Sequence, residues 1–121
     1  MSQENRLDLQ NLDQLRVLES ERPGLIRELI RLFVADAPKQ MRLIDGAYGK
    51  RDPEAVRQAA HFLRSGALAL GLGWLAEQAS LLEHLELAQY GTPASSELVA
   101  KLRAELHQVL LTLLRELKVA G

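Results

Sequence analysis

Residues 59–73 read AAHFLRSGALALGLG, and the rest of the chain is organised around this stretch. At about 100° of rotation per residue, the apolar residues of this region fall on one narrow helical stripe, formed by Val56, Ala60, Leu63, Ala67 and Leu70. His61 lies far round the helix from that stripe. The pattern therefore predicts an amphipathic helix that buries its stripe and holds one histidine on an open face.

Strong start and stop signals bound this helix. Residues 52–54 read DPE, which supplies a side-chain cap, a proline in the first turn and an acid near the positive end of the helix dipole. The helix is predicted to run to about Leu70, after which the two glycines within residues 71–73 turn the chain.

Three further long segments carry apolar residues at spacings of three and four. They cover residues 23–50, 74–89 and 92–117. Pro38 has no N–H, so the first segment is predicted to be kinked or broken near residues 36–38. A capping box at Asn11 predicts a short additional helix through Leu18.

Joined by short turns, the four long segments predict an all-α fold, an antiparallel up-down four-helix bundle. The short first helix is expected to cover one end of it. We expect residues 1–10 to be a flexible N-terminus and residues 11–118 to form the single bundle domain. Glycine and proline interrupt the pattern too often for a coiled-coil dimer.

Composition narrows the classes of function. The formal net charge of -1 offers no electrostatic reason for binding nucleic acid. The absence of cysteine excludes disulfides and thiolate metal sites. No apolar run approaches the roughly 18 residues of a membrane span, and the polar N-terminus does not resemble a signal peptide. We therefore expect a cytoplasmic protein that does not bind a membrane.

His61 shares its side of the helix with two arginines. Arg64 lies one turn beyond it and Arg57 one turn before it. A guanidinium donates paired hydrogen bonds to phosphoryl oxygens. The arrangement indicates that His61 accepts a phosphoryl group and that Arg64 stabilises the charge of that group. Arg57 is predicted to contact the partner and to assist in stabilising the charge. The alternative is a solvent-exposed histidine among routine surface charges.

The same side of the helix carries features of a docking surface. Ser65 and Gly66 are small, and a glycine inside a helix costs up to about 1 kcal/mol, which close approach of another protein's backbone would explain. Leu68 and Leu72 are apolar on this otherwise open side. All four are predicted to contact a partner, although the two leucines would equally suit an edge contact with the first helix.

The next helix offers an orienting group for the imidazole. If residues 53–89 form an antiparallel hairpin centred on Leu72, residues at equal distances from Leu72 lie at similar heights. His61 is eleven residues before Leu72 and Glu83 eleven after it. Glu83 is therefore predicted to bond one ring nitrogen and leave the other as a nucleophile, unless it is one more solvated acid.

Residues 60–67, AHFLRSGA, with Leu-Gly following at residues 70–71, resemble the signature of histidine-containing phosphotransfer (HPt) domains. The usual pattern of that family is Ala-His-x-Leu-Lys-Gly-Ser and then Leu-Gly. Arg64 stands where the family usually has lysine, and Ser65 and Gly66 invert the usual small pair. Glu83 falls where many members have glutamine. The resemblance extends over nearly the whole chain.

The resemblance implies a four-helix bundle and a role as a phosphorelay intermediate. His61 would accept a phosphoryl group from a receiver-domain aspartate and pass it reversibly to another receiver. The partners implied are receiver domains of response regulators or hybrid sensor kinases, which would bring the Mg²⁺. The chain itself would be a monomeric carrier with no cofactor and no ATP-dependent kinase activity.

Two other classes of function stay open from the residues alone. One is a helical protein-interaction module in which His61 is incidental. The other is a metal-binding bundle that uses His61, His84 and His107. These histidines are spaced for different faces or levels and lack carboxylate-histidine pairs, so no metal site is predicted.

Overall fold

The computed structural model describes residues 16–120, and all regular structure in that range is helical. The bundle consists of α1 (Leu25–Gly49), α2 (Pro53–Ala69), α3 (Gly73–Glu83) and α4 (Pro93–Ala120), with a 3₁₀ helix at Leu87–Gln89. Residues 16–21 are also helical. The prediction of an all-α four-helix bundle is confirmed. The predicted helix start at Asn11 and the flexible residues 1–10 lie outside the described residues.

Contacts at both ends show that α1 and α4 run antiparallel along their length. Near the start of α1, Arg27 Nη1 donates to the carbonyl of Leu117 near the end of α4 (3.0 Å). At the other end of α1, Tyr48 shares a hydrogen bond with Ser95 at the start of α4 (2.6 Å). The α2–α3 hairpin packs against this long pair. Within the described range, none of the helices combines the length and apolarity needed to cross a membrane.

The predicted apolar stripe is confirmed as the core face of α2. Its members are almost fully buried, with Val56, Ala60 and Ala67 at 0% exposure, Leu63 at 1% and Leu70 at 3%. The start signals also act as predicted, since the Asp52 carboxylate accepts the N–H of Ala55 and Pro53 occupies the first turn. Because the stripe is fixed against the core, the opposite face of α2 is held toward solvent.

Of the two alternatives predicted near Pro38, the break is wrong, because α1 is a single helix from Leu25 to Gly49, and the kink stays a prediction. The missing N–H of Pro38 removes one bond, to the carbonyl of Val34, at a cost of about 3 kcal/mol. Apolar side chains on both sides of the proline are buried in the core, namely Phe33, Ala37, Met41 and Ile44. Packing of these side chains holds the helix together through the proline.

Two predicted boundaries also shift. The helix expected over residues 74–89 ends at Glu83, and a capping box between Glu86 and Gln89 forms the separate 3₁₀ turn. The helix expected from Pro23 begins at Leu25, where Gly24 takes a positive φ of 91°. The Glu19 carboxylate accepts the N–H groups of Gly24 and Ile26 there, which supplies the cap that the local sequence lacks.

Tyr48 links the end of α1 to the start of α4, and its loss is expected to destabilise the fold. Its hydroxyl bonds the hydroxyls of Ser95 (2.6 Å) and Ser96 (3.1 Å) and accepts the N–H of Gly91 (3.0 Å). Tyr48→Phe removes all three bonds, although the buried Ser95 hydroxyl keeps its bonds to Thr92. We expect the free energy of unfolding to fall by about 1–2 kcal/mol. Urea denaturation measures the change.

Tyr90 provides the matched control for this substitution. Its ring stacks on that of Tyr48 with 5.1 Å between centroids, and its hydroxyl is buried without a partner among the described residues. Tyr90→Phe removes no hydrogen bond and is expected to leave the stability unchanged or slightly higher. Equal losses in the two variants would contradict the role of the Tyr48 hydroxyl.

Candidate functional site

Helices α2 and α3 bring His61, Arg64 and Glu83 into mutual contact. Nδ1 of His61 lies 3.0 Å from Oε1 of Glu83, and Nε of Arg64 donates to the same oxygen at 3.1 Å. Nη2 of Arg64 lies 3.0 Å from Nδ1 of His61. The predicted contact between Glu83 and His61 is therefore present, and Arg64 belongs to the same cluster.

The three side chains differ in their access to solvent. The His61 side chain is 56% exposed, Arg64 is 32% exposed and Glu83 is 9% exposed. The carboxylate thus lies beneath the imidazole and the guanidinium. A partner approaching this face of α2 meets the imidazole first.

The Glu83 carboxyl is ionised at neutral pH. Burial by itself would raise its pKa, but the hydrogen bonds from Arg64 and His61, together with their charges, outweigh burial and lower the pKa below the ordinary 4.5. An ionised carboxylate has only acceptor atoms. In a hydrogen bond to Glu83, Nδ1 of His61 carries the proton and Nε2 of the neutral ring holds the free lone pair, whereas a bond donated by Nη2 of Arg64 requires the opposite tautomer.

Ionisation of Glu83 is expected to make the stability depend on pH. Since its pKa is lower in the folded than in the unfolded state, the stabilisation is complete above about pH 4.5 and is lost as the pH falls through the folded pKa. Urea denaturation between about pH 7 and pH 3 should show a steeper loss of stability for the wild-type chain than for Glu83→Gln. Parallel curves would contradict this prediction.

Comparison with known proteins identifies the family. The sequence model of the Hpt domain matches residues 28–112, which is well over half of the chain. The chain belongs to the Hpt domain family. Histidine phosphotransfer within a phosphorelay, with receiver domains as the class of partner, is therefore the function of this domain, and the interaction-module and metal-binding alternatives are not needed to explain it.

One solved structure extends the comparison to the fold. This Hpt domain is similar to histidine-containing phosphotransfer protein B from Pseudomonas aeruginosa PAO1, with a TM-score of 0.74 and 22% sequence identity. The match covers 93% of this chain and 94% of that chain. At this identity the similarity shows a shared bundle fold. A search of curated proteins finds no significant match.

The other residues predicted to contact a partner differ in their exposure to solvent. Arg57 is exposed and pairs with Glu54 on its own helix. Ser65 is exposed, and Leu68 is 51% exposed on the open face as predicted. The prediction for Leu72 is wrong, because its side chain is 3% exposed in the core. The turn after α2 carries Leu72 inward, so a helical extrapolation past that turn misplaces it.

Gly66 has an intramolecular role that the sequence pattern did not indicate. A Cβ at this position would lie 3.0 Å from Cδ1 and 3.3 Å from Cε1 of Phe33 on α1. Phe33 is 6% exposed, so its ring fills the space beside the glycine. The glycine lets α1 pack closely against α2, whereas the sequence suggested that the space was reserved for a partner.

Phe62 is a surface residue near the site that sequence reasoning missed. It directly follows His61 and is 62% exposed. Its position off the apolar stripe and directly beside His61 was the available signal. Phe62 places a large apolar side chain beside the imidazole.

The other histidines do not join the cluster. Nδ1 of His84 bonds the carbonyl of Ser80 on its own helix at 2.8 Å. Throughout residues 16–120, no three His, Cys, Asp or Glu side chains are grouped as a metal site would require. His61 is thus the histidine whose surroundings include both a buried carboxylate and a guanidinium.

Proposed function

We propose that this Hpt domain carries its phosphoryl group on Nε2 of His61, taking it from the aspartyl phosphate of one receiver domain and passing it reversibly to the aspartate of another. The bond between Nδ1 of His61 and the Glu83 carboxylate carries the proposal. It engages one ring nitrogen and leaves the other on an exposed side chain. A neutral, accessible ring nitrogen is an effective nucleophile for this chemistry.

The proposed transfer conserves atoms and protons. The Nε2 lone pair attacks phosphorus, an N–P bond forms, and the acyl O–P bond breaks, so that the receiver aspartate leaves as a carboxylate with the bonding electrons. Nδ1 keeps its proton, and the phosphorylated ring is cationic beside the Glu83 carboxylate. That carboxylate neutralises the ring charge. The return transfer releases a neutral imidazole, so no proton enters or leaves.

Arg64 is proposed to stabilise the phosphoryl oxygens. Its Nε donates to Glu83, and this bond fixes the guanidinium beside the imidazole. Because Nδ1 of His61 directs its own proton to Glu83, the Nη hydrogens of Arg64 remain available to an incoming phosphoryl group. A guanidinium donates two parallel bonds to such oxygens, which makes it a suitable replacement for the lysine usual in the family.

The rest of the reaction is assigned to the partner. We expect the receiver domain to bring Mg²⁺ and the carboxylates that bind it, and this chain to need no cofactor of its own. We expect no ATP-dependent kinase activity, since the sequence has no glycine-rich phosphate loop. We also propose that the protein is a monomer and that it acts in the cytoplasm.

Locating the phosphoryl group tests the proposal. The full chain is incubated with a phosphorylated receiver domain, chosen by profiling the receivers of the source organism, and separately with the small donor phosphoramidate. Mass spectrometry of peptides kept at alkaline pH locates the modification. We expect one acid-labile phosphoryl group on His61. Modification of His84 or His107 instead, or no modification by either donor, would contradict the proposal.

A further inference from the structure

The two sides of His61 on the surface of α2 carry different groups. At about 100° of rotation per residue, Arg57 and Arg64 lie to one side of His61, at about 40° and 60° from it. Gln58 and Ser65 lie to the other side, at about 60° and 40° from it. One side of the histidine is therefore basic, and the other carries an amide and a hydroxyl.

The neighbouring helices fix what each side faces. On the basic side, Nε of Arg64 donates to Glu83 of α3. On the other side, Phe62 lines two cavities, both of which lie between α1 and α2. The basic side thus faces α3, and the side that carries Ser65 faces α1.

The orientation of the imidazole follows from its contacts on the basic side. Nδ1 of His61 lies 3.0 Å from Oε1 of Glu83 and 3.0 Å from Nη2 of Arg64. The ring edge that carries Nδ1 is therefore turned toward the basic side. Nε2 belongs to the opposite edge of an imidazole, so a phosphoryl group on Nε2 lies on the side of Ser65.

The Ser65 side chain is directed toward this position. Side chains of a helix lean toward its N-terminus and cover the preceding turn, and Arg64 does so here when it reaches back to Nδ1 of His61. The Cβ atoms of residues four apart are about 5–6 Å from each other. The hydroxyl of Ser65, four residues after His61, is therefore within reach of a group bound to the imidazole.

The Ser65 hydroxyl is also free to donate. A serine or threonine hydroxyl inside a helix can bond the carbonyl four residues earlier, as Thr112 does with Gln108 at 3.2 Å. Ser65 is exposed, and its hydroxyl forms no hydrogen bond to any residue that the structure describes. The amide of Gln58, by contrast, already donates to Glu54 at 3.2 Å. A phosphoryl group on this side therefore meets an uncommitted hydroxyl.

We propose that the Ser65 hydroxyl donates a hydrogen bond to the phosphoryl group on Nε2 of His61 and thereby stabilises the phosphorylated form of this Hpt domain. Arg64 and Ser65 then contact the phosphoryl oxygens from two sides of the ring. The inference rests on the proposed function of His61 and adds a phosphoryl-binding residue to it. The usual family pattern has glycine at this position, so members with that pattern lack the hydroxyl.

The equilibrium constant for transfer from the receiver tests this contact. A hydrogen bond to the phosphoryl group stabilises the phosphorylated product, whereas a contact with the partner changes the forward and reverse rates alike. In Ser65→Ala, we expect the equilibrium constant for phosphorylation of the Hpt domain to fall about fivefold, the effect of a hydrogen bond worth about 1 kcal/mol. Reactions started from the phosphorylated receiver and from the phosphorylated Hpt domain must reach the same ratio.

A second measurement needs no receiver. The full chain is phosphorylated with phosphoramidate, and the phosphoryl group is titrated by ³¹P nuclear magnetic resonance. The hydrogen bond favours the dianion, which is the better acceptor, over the monoanion. We therefore expect the midpoint of the titration to lie at a higher pH in Ser65→Ala than in the wild-type chain.

Three further variants serve as controls. Ser65→Gly restores the residue usual in the family and is expected to match Ser65→Ala, because both lack the hydroxyl. Ser65→Thr keeps a hydroxyl and is expected to stay close to wild type. Thr112→Ala removes an exposed hydroxyl from α4 and should have no effect. Circular dichroism and thermal unfolding establish that each variant is folded.

The outcomes separate the phosphoryl contact from its alternatives. A wild-type equilibrium constant and titration midpoint in Ser65→Ala would overturn the inference, and a change in transfer rates alone would assign Ser65 to the partner interface instead. A loss in Ser65→Gly without one in Ser65→Ala would also overturn it, since the helix backbone would then be the cause. Failure of both donors to modify His61 in the wild-type chain would overturn the proposed function, and this inference with it.

Discussion

His61→Gln is expected to abolish phosphorylation of this Hpt domain by both receiver and phosphoramidate while leaving the bundle folded. Glutamine offers no ring nitrogen to form the N–P bond, so the loss should be complete. The His61 side chain is 56% exposed and contributes nothing to the apolar stripe of α2. We therefore expect the free energy of unfolding to fall by no more than about 0.5–1.5 kcal/mol, the worth of the hydrogen bond to Glu83.

His84→Gln is the control for the His61 variant. This histidine is exposed and bonds the backbone of its own helix, so its replacement should leave phosphorylation unchanged. Both variants are compared by phosphoryl incorporation and by thermal unfolding. Incorporation into folded His61→Gln at the wild-type level would refute the assignment of His61.

Glu83→Ala is expected to produce the second-largest effect, a fall of roughly 10- to 100-fold in the rate of phosphorylation, the range in which orienting partners of a histidine act. Without the carboxylate, Nδ1 has no fixed acceptor and Nη2 of Arg64, 3.0 Å away, can donate to it. The proton then moves to Nε2, which removes the lone pair that attacks phosphorus. The substitution also removes the charge that neutralises the phosphorylated ring.

Glu83→Gln separates these two contributions. The amide oxygen still accepts the Nδ1 proton but carries no charge, so we expect a loss of less than tenfold. Glu77→Ala, an exposed acid on the same helix, is the control and should behave like the wild-type chain. Rates with phosphoramidate and with the receiver are measured for all three. A Glu83→Ala rate equal to that of Glu77→Ala would contradict the orienting role.

The sequence predicted the elements whose signals are local. The DPE start and the apolar stripe defined α2 to within about one residue at its C-terminal end, because capping and helical periodicity act between residues close in the chain. The contact between His61 and Glu83 also followed from the sequence. A hairpin with a tight turn places residues at equal distances from that turn side by side, and the turn after α2 is only three residues long.

Predictions failed where distant residues compete for the same space. Pro38 disfavours a helix locally, but buried side chains around it keep α1 continuous. Leu72 follows the apolar spacing of an open face, yet the turn carries it into the core. These outcomes depend on the packing of one helix against another, and periodicity within a single helix contains no information on that packing.

By itself, the sequence determined the class of fold, the course of α2 and the position of the imidazole on its open face, since these depend on local hydrogen bonding and helical geometry. Tertiary structure alone decided that Gly66 accommodates Phe33 and that Phe62 lies between two cavities. Both results depend on which side chain of α1 reaches which position of α2. The close packing of α1 against α2 sets this alignment of side chains, so the sequence pattern of either helix alone does not determine it.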